Sequence, residues 1–370
     1  MKQLVLLGGG HAHIHVLRAF AQQPLAAGRI MLVSPHPALV YSGMVPGMVA
    51  GHYTLDQCLV PLAPLAAKAR ADFVMAAATA LDAPSKTVTL ADGTSLRYDV
   101  LSIDVGGTID CDAIPGAREL ALFVRPMEHF ARLWSDLLAL SQDKPLNIVM
   151  VGGGAGGVEL AMALQHRLRG RARVSLLTGG GPVLASYPAG VQRLATRALK
   201  RCGVTIFEDV CRQVTPGHIV LGQGTRLACD APVIATGNAA PSWLKASGLA
   251  LDEDGFIGTG STLQSTSHPE VFAAGDAASR VDAPRPRSGV YAVRAGPPLA
   301  LNLARAIAGG VLEPYTPQKR SLNLLSCGDR VAIASWGGWS AQGRWAWWWK
   351  DRIDRGFIRG FTSAVRGPVS

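Results

Sequence analysis

The chain has 370 residues, of which 48% are hydrophobic and 42 are glycine, and its formal net charge is +10. This length allows two domains and a small third, and the composition excludes a disordered chain. No apolar run reaches the roughly 20 residues that a membrane-spanning helix needs. The short apolar run after Met1 ends in a glycine turn, so no signal peptide is predicted. We expect a cytoplasmic protein, with the inner face of a membrane as a second location.

The six cysteines form no Cys-x-x-Cys or Cys-x4-Cys pair, so neither a zinc knuckle nor a local redox disulphide is predicted. The positive charge indicates an anionic partner, either nucleotide phosphates or anionic lipid. No nucleic-acid motif accompanies it, so no nucleic-acid partner is expected. His11 and His15 have a spacing that can bind metal on a helix, but no second ligand cluster accompanies them and no metal site is predicted.

The N-terminal sequence predicts a strand over residues 4–7, a glycine turn at 8–10 and a helix over 12–20. This layout directs backbone N–H groups and a helix N-terminus at a dinucleotide pyrophosphate. A second strand is predicted over 29–34. Ser34 stands where an acidic residue usually binds the adenosine ribose, and His13 replaces the third glycine of the motif.

The pattern then recurs in complete form. Residues 146–151 predict a strand, and Gly152, Gly154 and Gly157 make a full G-x-G-x-x-G that opens a helix. Each copy is followed by a hairpin of strands and turns. This repetition predicts an internal duplication.

The two hairpins share their spacing. Gly93 precedes Asp99 by 6 residues, and Asp99 precedes Gly106 by 7. The same intervals separate Gly224, Asp230 and Gly237. Within the first hairpin, strands are predicted over 87–90 and 96–105.

Three further segments carry predictions. Residues 41–51 predict a loop that carries two methionines. This loop either lies against a flat apolar ring or is an ordinary surface loop. Residues 268–276 predict a buried strand that ends in Gly275 and Asp276. Residues 288–307 predict a helix interrupted at Pro297 and Pro298 by a kink or a new helix start.

The C-terminal tail from Lys319 holds six of the eight tryptophans and nine basic residues against three acidic ones. If this part of the tail is a helix, its residues at i, i+4 spacing form one apolar stripe, and the basic residues lie on its other faces. The stripe comprises Trp345, Trp349, Ile353, Phe357 and Phe361, and the basic residues are Lys350, Arg352, Arg355 and Arg359. Such a helix could bind an anionic membrane surface, or it could dock on the first domain of its own chain or on a second subunit. The last alternative would make the protein a homodimer.

With both glycine turns, both hairpins and residues 272–276, the chain resembles the pyridine nucleotide-disulphide oxidoreductase superfamily over about its whole length. Within it, the chain is most similar to the type II NADH dehydrogenase-like branch and to the flavoprotein module fused to selenide, water dikinases. This closer likeness is carried by residues 8–13, 34–35, 41–44, 291–294 and 349–355.

The resemblance implies an α/β fold with two Rossmann-like dinucleotide-binding domains, β-meander insertions and a short C-terminal α/β tail. Residues 1–110 and 245–315 would form the FAD-binding domain, and residues 111–244 the NAD(P)-binding domain. Residues 316–370 would form an interface or membrane-associating region.

The resemblance also implies a set of FAD-binding residues. Gly8 and Gly10 would lie at the pyrophosphate, Asp276 would accept a hydrogen bond from the ribityl chain, and the helix start near Ala292 would point at the flavin. The full set is Gly8, Gly10, Ala12, His13, Ser34, Pro35, Ala78, Gly106, Gly275, Asp276, Ala292 and Val293.

NADH or NADPH would bind the second copy as co-substrate. The implied residues are Gly152, Gly154, Gly157, Glu159 and Gly237. Glu159 matches a position that reaches toward the nicotinamide, or it is only a carboxylate favoured by the helix dipole. Thr178 stands where Asp or Glu would favour NAD and Arg would favour NADP, so the choice of cofactor stays open.

The implied activity is hydride transfer from NAD(P)H to FAD and onward electron transfer to a small-molecule acceptor, for which a quinone is one candidate. No side chain is assigned a certain catalytic role, and Glu159 is the one candidate. The missing cysteine pair argues against thiol–disulphide reduction. Two alternatives remain: an FAD-binding accessory or sensor protein with little turnover, and a flavin dehydrogenase of a small selenium- or sulfur-linked substrate.

Overall fold

The structure, a computed structural model, describes residues 1–25 and 28–362. Its N-terminal part alternates strands with helices and continues as a meander. The elements are β1 (Gln3–Leu7), α1 (His11–Gln22), β2 (Arg29–Val33), β3 (Ala38–Val40), α2 (Val45–Val49), β4 (Leu59–Pro61), α3 (Leu62–Lys68), β5 (Ala71–Val74), β6 (Ala78–Asp82), β7 (Thr87–Leu90), β8 (Ser95–Arg97) and β9 (Val100–Ile103).

The middle part repeats the order of strand, glycine turn, helix and meander. Its elements are α4 (Ala117–Leu120), β10 (Leu122–Phe123), α5 (Met127–Asp143), β11 (Leu146–Val151), α6 (Ala155–Arg167), β12 (Ala172–Leu177), α7 (Ala189–Cys202), β13 (Thr205–Phe207), β14 (Cys211–Thr215), β15 (His218–Leu221), β16 (Arg226–Ala228) and β17 (Ala231–Ile234).

The last part returns to the first sheet and ends in a small antiparallel sheet with one long helix. Its elements are β18 (Ile257–Thr259), β19 (Val271–Ala273), β20 (Ala278–Arg280), α8 (Gly289–Ala308), β21 (Leu322–Ser326), β22 (Ala332–Trp336), β23 (Trp339–Gly343) and α9 (Arg344–Thr362). The tail residues 363–370, with Arg366, lie outside the described part of the chain.

Two five-stranded parallel sheets organise the fold, with strand orders β19-β9-β1-β2-β5 and β10-β17-β11-β12-β13. β1 and β11, which precede the two glycine turns, are almost entirely buried, as parallel strands covered on both faces must be. The predicted α/β fold with two Rossmann-like domains is confirmed. Because β19 pairs with β9, the chain contributes the last strand of the first sheet after it has passed through the second sheet. The domain limits at residues 110, 244 and 315 stay predictions.

The duplication has a physical counterpart in the two equally spaced aspartates. Asp99 Oδ2 accepts the backbone N–H of Gln3 at 2.6 Å, at the start of β1. Asp230 Oδ2 accepts the backbone N–H of Asn147 at 2.8 Å, at the start of β11. Each meander therefore returns a carboxylate to the first strand of its own unit.

Two predicted segments differ from the structure. The strand predicted over 96–105 is divided, because the chain turns between β8 in the meander and β9 in the parallel sheet. The loop predicted over 41–51 instead forms a 3₁₀ turn, Ser42–Met44, followed by α2. Its methionines, Met44 and Met48, are buried in the core, so they act as packing residues.

The new helix start predicted at Pro297 and Pro298 is wrong, since α8 runs as one helix through both prolines, and the alternative of a kink there stays a prediction. Tight packing against α1 offers a reason: a Cβ on Gly296 would overlap His15. Close contact between two long helices can hold a helix together despite the N–H groups that proline removes.

The apolar stripe predicted on α9 is buried only toward its C-terminal end, where docking on the first unit, one of the predicted alternatives, is observed. Phe361 is buried and Phe357 stacks on Tyr41, with ring centroids 4.2 Å apart, so the C-terminal half of α9 docks on the first unit. The N-terminal half leaves Trp345 and Trp349 46% and 40% exposed. The two halves of α9 differ in burial because they contact different parts of the protein. Among the described residues, no helix combines the length and apolar character needed to cross a membrane.

His13 packs beneath the first glycine turn, on the side that faces the protein core. Its side chain is fully buried, with Nδ1 2.6 Å from the carbonyl oxygen of Gly8 and Nε2 2.8 Å from Ser102 Oγ. The imidazole therefore links α1, the turn and β9. Burial lowers its pKa from 6.5 to about 4, which keeps the ring neutral at pH 7.

Replacing His13 with Asn is expected to lower the free energy of unfolding at pH 7 by about 2 kcal/mol, because the buried partners of the imidazole lose hydrogen bonds. The pKa is lower in the folded state, so the native protein loses stability as pH falls from 6.5 toward about 4. The variant should lose this part of the pH dependence in urea unfolding curves. Exposed His129, replaced by Asn, is the control; equal behaviour of the two variants would contradict the assignment.

Replacing Asp230 with Asn is expected to cost about 1 kcal/mol of unfolding free energy at pH 7. The Asn147 N–H and the Lys144 ammonium lower the pKa of this carboxyl below 3.8, so its stabilisation is present above that pH and is lost as pH falls through the lower native pKa. Thermal unfolding between pH 2 and 7 measures it. The exposed Asp136→Asn variant should unfold like the parent, and a matching loss there would refute the role of Asp230.

Candidate functional site

One cleft collects most of the residues predicted to bind FAD. It has a volume of about 1320 Å³, including its solvent-open part, and lies at the carboxyl ends of the strands in the first sheet. Nine of the twelve predicted residues line it: Gly8, Gly10, Ser34, Pro35, Ala78, Gly106, Gly275, Asp276 and Ala292. Ala12, His13 and Val293 do not.

Ala12 and His13 face a buried carboxylate. Their backbone N–H groups donate to Asp104 Oδ2 at 2.7 and 3.0 Å. Val293 follows Ala292 on α8 and is turned away from the cleft lining. The hydroxyl of Ser34 is bonded to the backbone of His36, so the side chain is fixed at the cleft wall.

Asp104 is a central residue that the sequence analysis missed. It lies at the carboxyl end of β9, and added Cβ atoms on Gly8, Gly10 and Gly275 would all collide with it. Burial raises its pKa to about 6, against the lowering effect of the His13 and Ala12 N–H groups and the nearby His11. A signal existed in the repeat: Asp104 stands two residues before Gly106, where the second copy has Ala235 before Gly237.

Arg125 is a second missed residue, and it reaches the cleft from the second unit. Its Nη1 donates to Asp276 Oδ2 at 2.7 Å and to Asn238 Oδ1 at 3.3 Å. Asn238 in turn donates to the carbonyl oxygen of Asp276 at 3.3 Å. Arg125 thus holds the carboxylate predicted to bind the ribityl chain, and Asn238 holds the backbone of the same residue. No local motif marks Arg125, because its partner lies 151 residues away.

The cleft fits a dinucleotide. The backbone N–H groups of Gly9, Gly10 and His11 line it and have no partner among the described residues, as expected of a phosphate-binding turn. His11 Nε2 is also buried without a hydrogen-bond partner there. Gly106 has a φ of 74° and an added Cβ on it would meet only open space, so this turn faces the cleft without obstruction.

The second glycine turn has the same close-packed geometry. A Cβ on Gly157 would collide with the carbonyl oxygen of Gly152, whose own φ is 133°. An added Cβ on Gly154 or Gly237 would meet no atom within 4 Å, so these two positions border open space. Thr178 Oγ1 donates to the carbonyl oxygen of Gly181 in its own loop and to that of Phe207 at the end of β13, and the choice between NADH and NADPH stays open.

Glu159 connects the second unit to the tail. Its Oε1 accepts the backbone N–H of Ser326 at 2.7 Å, at the end of β21. Burial raises its pKa to about 7, against the attraction of the Lys350 ammonium. Its predicted role at the nicotinamide stays a prediction.

Lys350 was predicted on a face of α9 other than the apolar stripe, without an assigned partner. The side chain turns inward, and its Nζ donates to the carbonyl oxygen of Gly43 at 2.7 Å and to Asp354 Oδ2 at 2.8 Å. Asp354 also accepts from Tyr41 at 3.3 Å. One buried ammonium therefore joins α9 to the segment that follows the cleft residue Ser42, and it lies near Glu159 of α6.

Comparisons with known proteins agree with this geometry. The profile of the pyridine nucleotide-disulphide oxidoreductase family matches residues 2–296. Demethylphylloquinone reductase NdbB of Synechocystis is 26% identical over 294 residues, which cover 76% of this chain and 73% of that protein.

Two solved structures share the fold. The sulfide:quinone oxidoreductase of Aquifex aeolicus superposes with a TM-score of 0.81 at 18% identity. The superposition covers 100% of this chain and 93% of that protein. The NDH2 of Plasmodium falciparum in complex with NADH gives 0.80 at 13% identity, with 98% of both chains covered. The chain therefore belongs to the pyridine nucleotide-disulphide oxidoreductase family, in its type II NADH dehydrogenase-like branch, and is an FAD-dependent oxidoreductase of NAD(P)H.

Proposed function

We propose that the chain passes electrons from NAD(P)H through FAD to a quinone at a membrane surface. The observation that carries the proposal is the link through Lys350: the helix that exposes tryptophans to solvent also bonds the segment beside the FAD cleft. An apolar acceptor bound beside the exposed tryptophans of α9 would lie close to the wall of the FAD cleft. The name of the Synechocystis relative, a demethylphylloquinone reductase, supports a quinone as the acceptor class.

FAD, when bound, supplies a ring that accepts a hydride and releases electrons to a second acceptor. The residues of this chain position and shield that exchange. The first glycine turn offers N–H groups to phosphate, Asp276 offers a carboxylate fixed by Arg125, and the N-terminus of α8 adds positive potential through Ala292. Positioning and exclusion of water supply the rate enhancement, with no side chain required as acid or base in the hydride step.

All six cysteines are free, and burial raises the pKa of Cys58, Cys229 and Cys327 to about 12. Such thiols are poor nucleophiles at neutral pH, which supports an acceptor other than a disulphide. The flavin-binding sensor and the dehydrogenase of a selenium- or sulfur-linked substrate are the other outcomes of the test below.

The membrane surface would be contacted by the tryptophan patch, which we define as Trp336, Trp339, Trp345, Trp348 and Trp349. These side chains are 40% to 61% exposed. Trp345 lies 6.2 Å from Trp339 and 6.4 Å from Trp349 between ring centroids, so these three rings adjoin one another. Exposed Arg344 and Arg352 flank it. Aromatic rings beside arginine suit the headgroup region of an anionic bilayer, here the inner face of a membrane.

Gly157→Ala is expected to slow anaerobic flavin bleaching by NADH or NADPH about tenfold or more, because the new methyl group strains the second glycine turn. The yellow colour should persist, since the FAD cleft is untouched. Stopped-flow absorbance measures the rate, and a short-chain quinone added afterwards should restore the oxidised spectrum.

Gly156→Ala is the matched control, because its added Cβ meets no atom within 4 Å in the same turn of α6. Parent protein that neither nicotinamide bleaches would favour the sensor. Parent protein that neither nicotinamide bleaches, but that a small selenium- or sulfur-linked donor does bleach, would favour the small-substrate dehydrogenase. Parent protein that is bleached but reoxidised by no quinone would contradict a quinone as acceptor.

Replacing both Trp345 and Trp349 with Ser is expected to reduce co-sedimentation with phosphatidylglycerol vesicles by about tenfold or more, through loss of apolar burial. Point variants are needed because tail deletion would remove the buried Ile358 and Phe361. Leu140→Ser, at a position 43% exposed on α5, is the control. Equal sedimentation of parent and double variant, or none by the parent, would overturn the membrane proposal.

A further inference from the structure

Helix α7 presents a basic face to solvent. One side of the helix is apolar, because its buried side chains recur at helical spacing: Val191, Ala195, Ala198 and Leu199. The opposite side carries four exposed cations, Arg193, Arg197, Lys200 and Arg201. At 3.6 residues per turn these four lie within an arc of about 100°. We call this set the basic face of α7.

The charge extends along the chain on both sides of α7. Between residues 160 and 207, from α6 to the end of β13, the sequence has no Asp or Glu. The same stretch has eight basic residues: Arg167, Arg169, Arg171, Arg173, Arg193, Arg197, Lys200 and Arg201. It therefore supplies most of the net charge of +10. Arg169, which follows α6, lies near Cys202 at the end of α7, so the two helix ends bring their cations together.

Most of the basic face has no anionic partner. The side chains of Arg193, Arg197 and Lys200 form neither an ion pair nor a hydrogen bond with any residue that the structure describes. Arg201 Nη2 lies 3.4 Å from Asp329 Oδ2, but both side chains are exposed and such a pair contributes little. The face therefore presents unbalanced positive charge to whatever lies against it.

The basic face adjoins the tryptophan patch. An added Cβ on Gly190, at the start of α7, would lie 2.6 Å from Ser340 Oγ and 3.9 Å from Arg193 Nη2. Ser340 follows Trp339 on β23, so the first cation of the face lies beside the strand that carries this exposed indole. Exposed indoles and unpaired arginines thus lie next to each other on one surface.

We propose that the basic face of α7 binds the anionic headgroups of the bilayer that the tryptophan patch contacts. This inference rests on the proposed membrane surface and adds a second contact to it, from the second unit rather than the tail. Indoles at a headgroup boundary need apolar lipid beneath them, whereas clustered Lys and Arg need negative headgroups. A bilayer offers both layers in direct succession. The two contacts together select an anionic membrane and hold the second unit against it.

The test measures sedimentation of the full-length, FAD-loaded protein with vesicles of phosphatidylcholine alone and of phosphatidylcholine mixed with phosphatidylglycerol. The triple variant Arg193→Gln, Arg197→Gln, Lys200→Gln should bind the mixed vesicles about tenfold or more weakly than the parent. Each basic residue near an anionic surface strengthens association about fivefold. Both proteins should bind the neutral vesicles equally. Added salt should weaken binding of the parent to mixed vesicles more than binding of the variant.

The matched control removes the same charge from three exposed residues on other elements. It combines Lys68→Gln on α3, Arg97→Gln on β8 and Arg226→Gln on β16, and it should bind mixed vesicles nearly as the parent does. Arg197→Glu should bind them more weakly than Arg197→Gln, because it turns a negative charge toward the lipid. Flavin absorbance and the melting temperature check that each variant is loaded and folded.

Equal binding of parent and triple variant to mixed vesicles, or an equal loss in the control, would overturn the proposal and leave the tryptophan patch untouched. If the triple variant loses binding to soluble polyglutamate but not to vesicles, the face belongs to an acidic protein partner instead. A parent that binds neither vesicle would overturn this proposal together with the membrane surface. Reoxidation by a short-chain quinone is measured without vesicles, so its failure is separate.

Discussion

A buried carboxylate beneath the first glycine turn is the contact on which the site depends. Asp104 accepts the first free N–H groups of α1 from Ala12 and His13, and it lies against the glycines of two separate turns. A carboxylate in that place cancels part of the positive end of the helix, so the phosphate-binding role passes to the N–H groups earlier in the turn. Burying this carboxylate away from water disfavours its charged form, which raises the pKa of Asp104.

The two units of the fold meet at charged side chains. Arg125 from the second unit holds Asp276 of the first, and Lys350 from the tail bonds the segment beside the cleft while lying near Glu159. The carboxylates of both pairs are largely shielded from water, with Asp276 13% and Asp354 5% exposed, whereas the Arg125 side chain is 33% exposed. Removing either cation therefore leaves a largely buried carboxylate unpaired. These polar contacts add to a continuous apolar core that contains residues of both units, among them Met48 of α2 and Leu160 of α6.

The sequence predicted what local pattern and repetition encode. Glycine turns, apolar strands and equal hairpin spacing specified both Rossmann-like units, because these features depend on neighbours in the chain. Nine cleft residues followed from the family resemblance. Arg125 escaped prediction because its partner is distant in sequence, and the inward turn of Lys350 escaped because helical periodicity treats a lysine as an outward residue. The division of α9 likewise depends on which surfaces it meets, which no periodicity contains.

The position of Lys350 has a thermodynamic consequence. One ammonium group contacts the flavin-side segment, lies near a carboxylate on the nicotinamide-side helix and belongs to the helix that carries the exposed indoles. A ligand that favours one placement of this helix changes the affinity at another of these positions when binding there also depends on that placement, and within each such pair the coupling free energy is reciprocal. A bilayer that captures the helix and a dinucleotide that arrives on the opposite side would then each sense the other, without a moving domain between them.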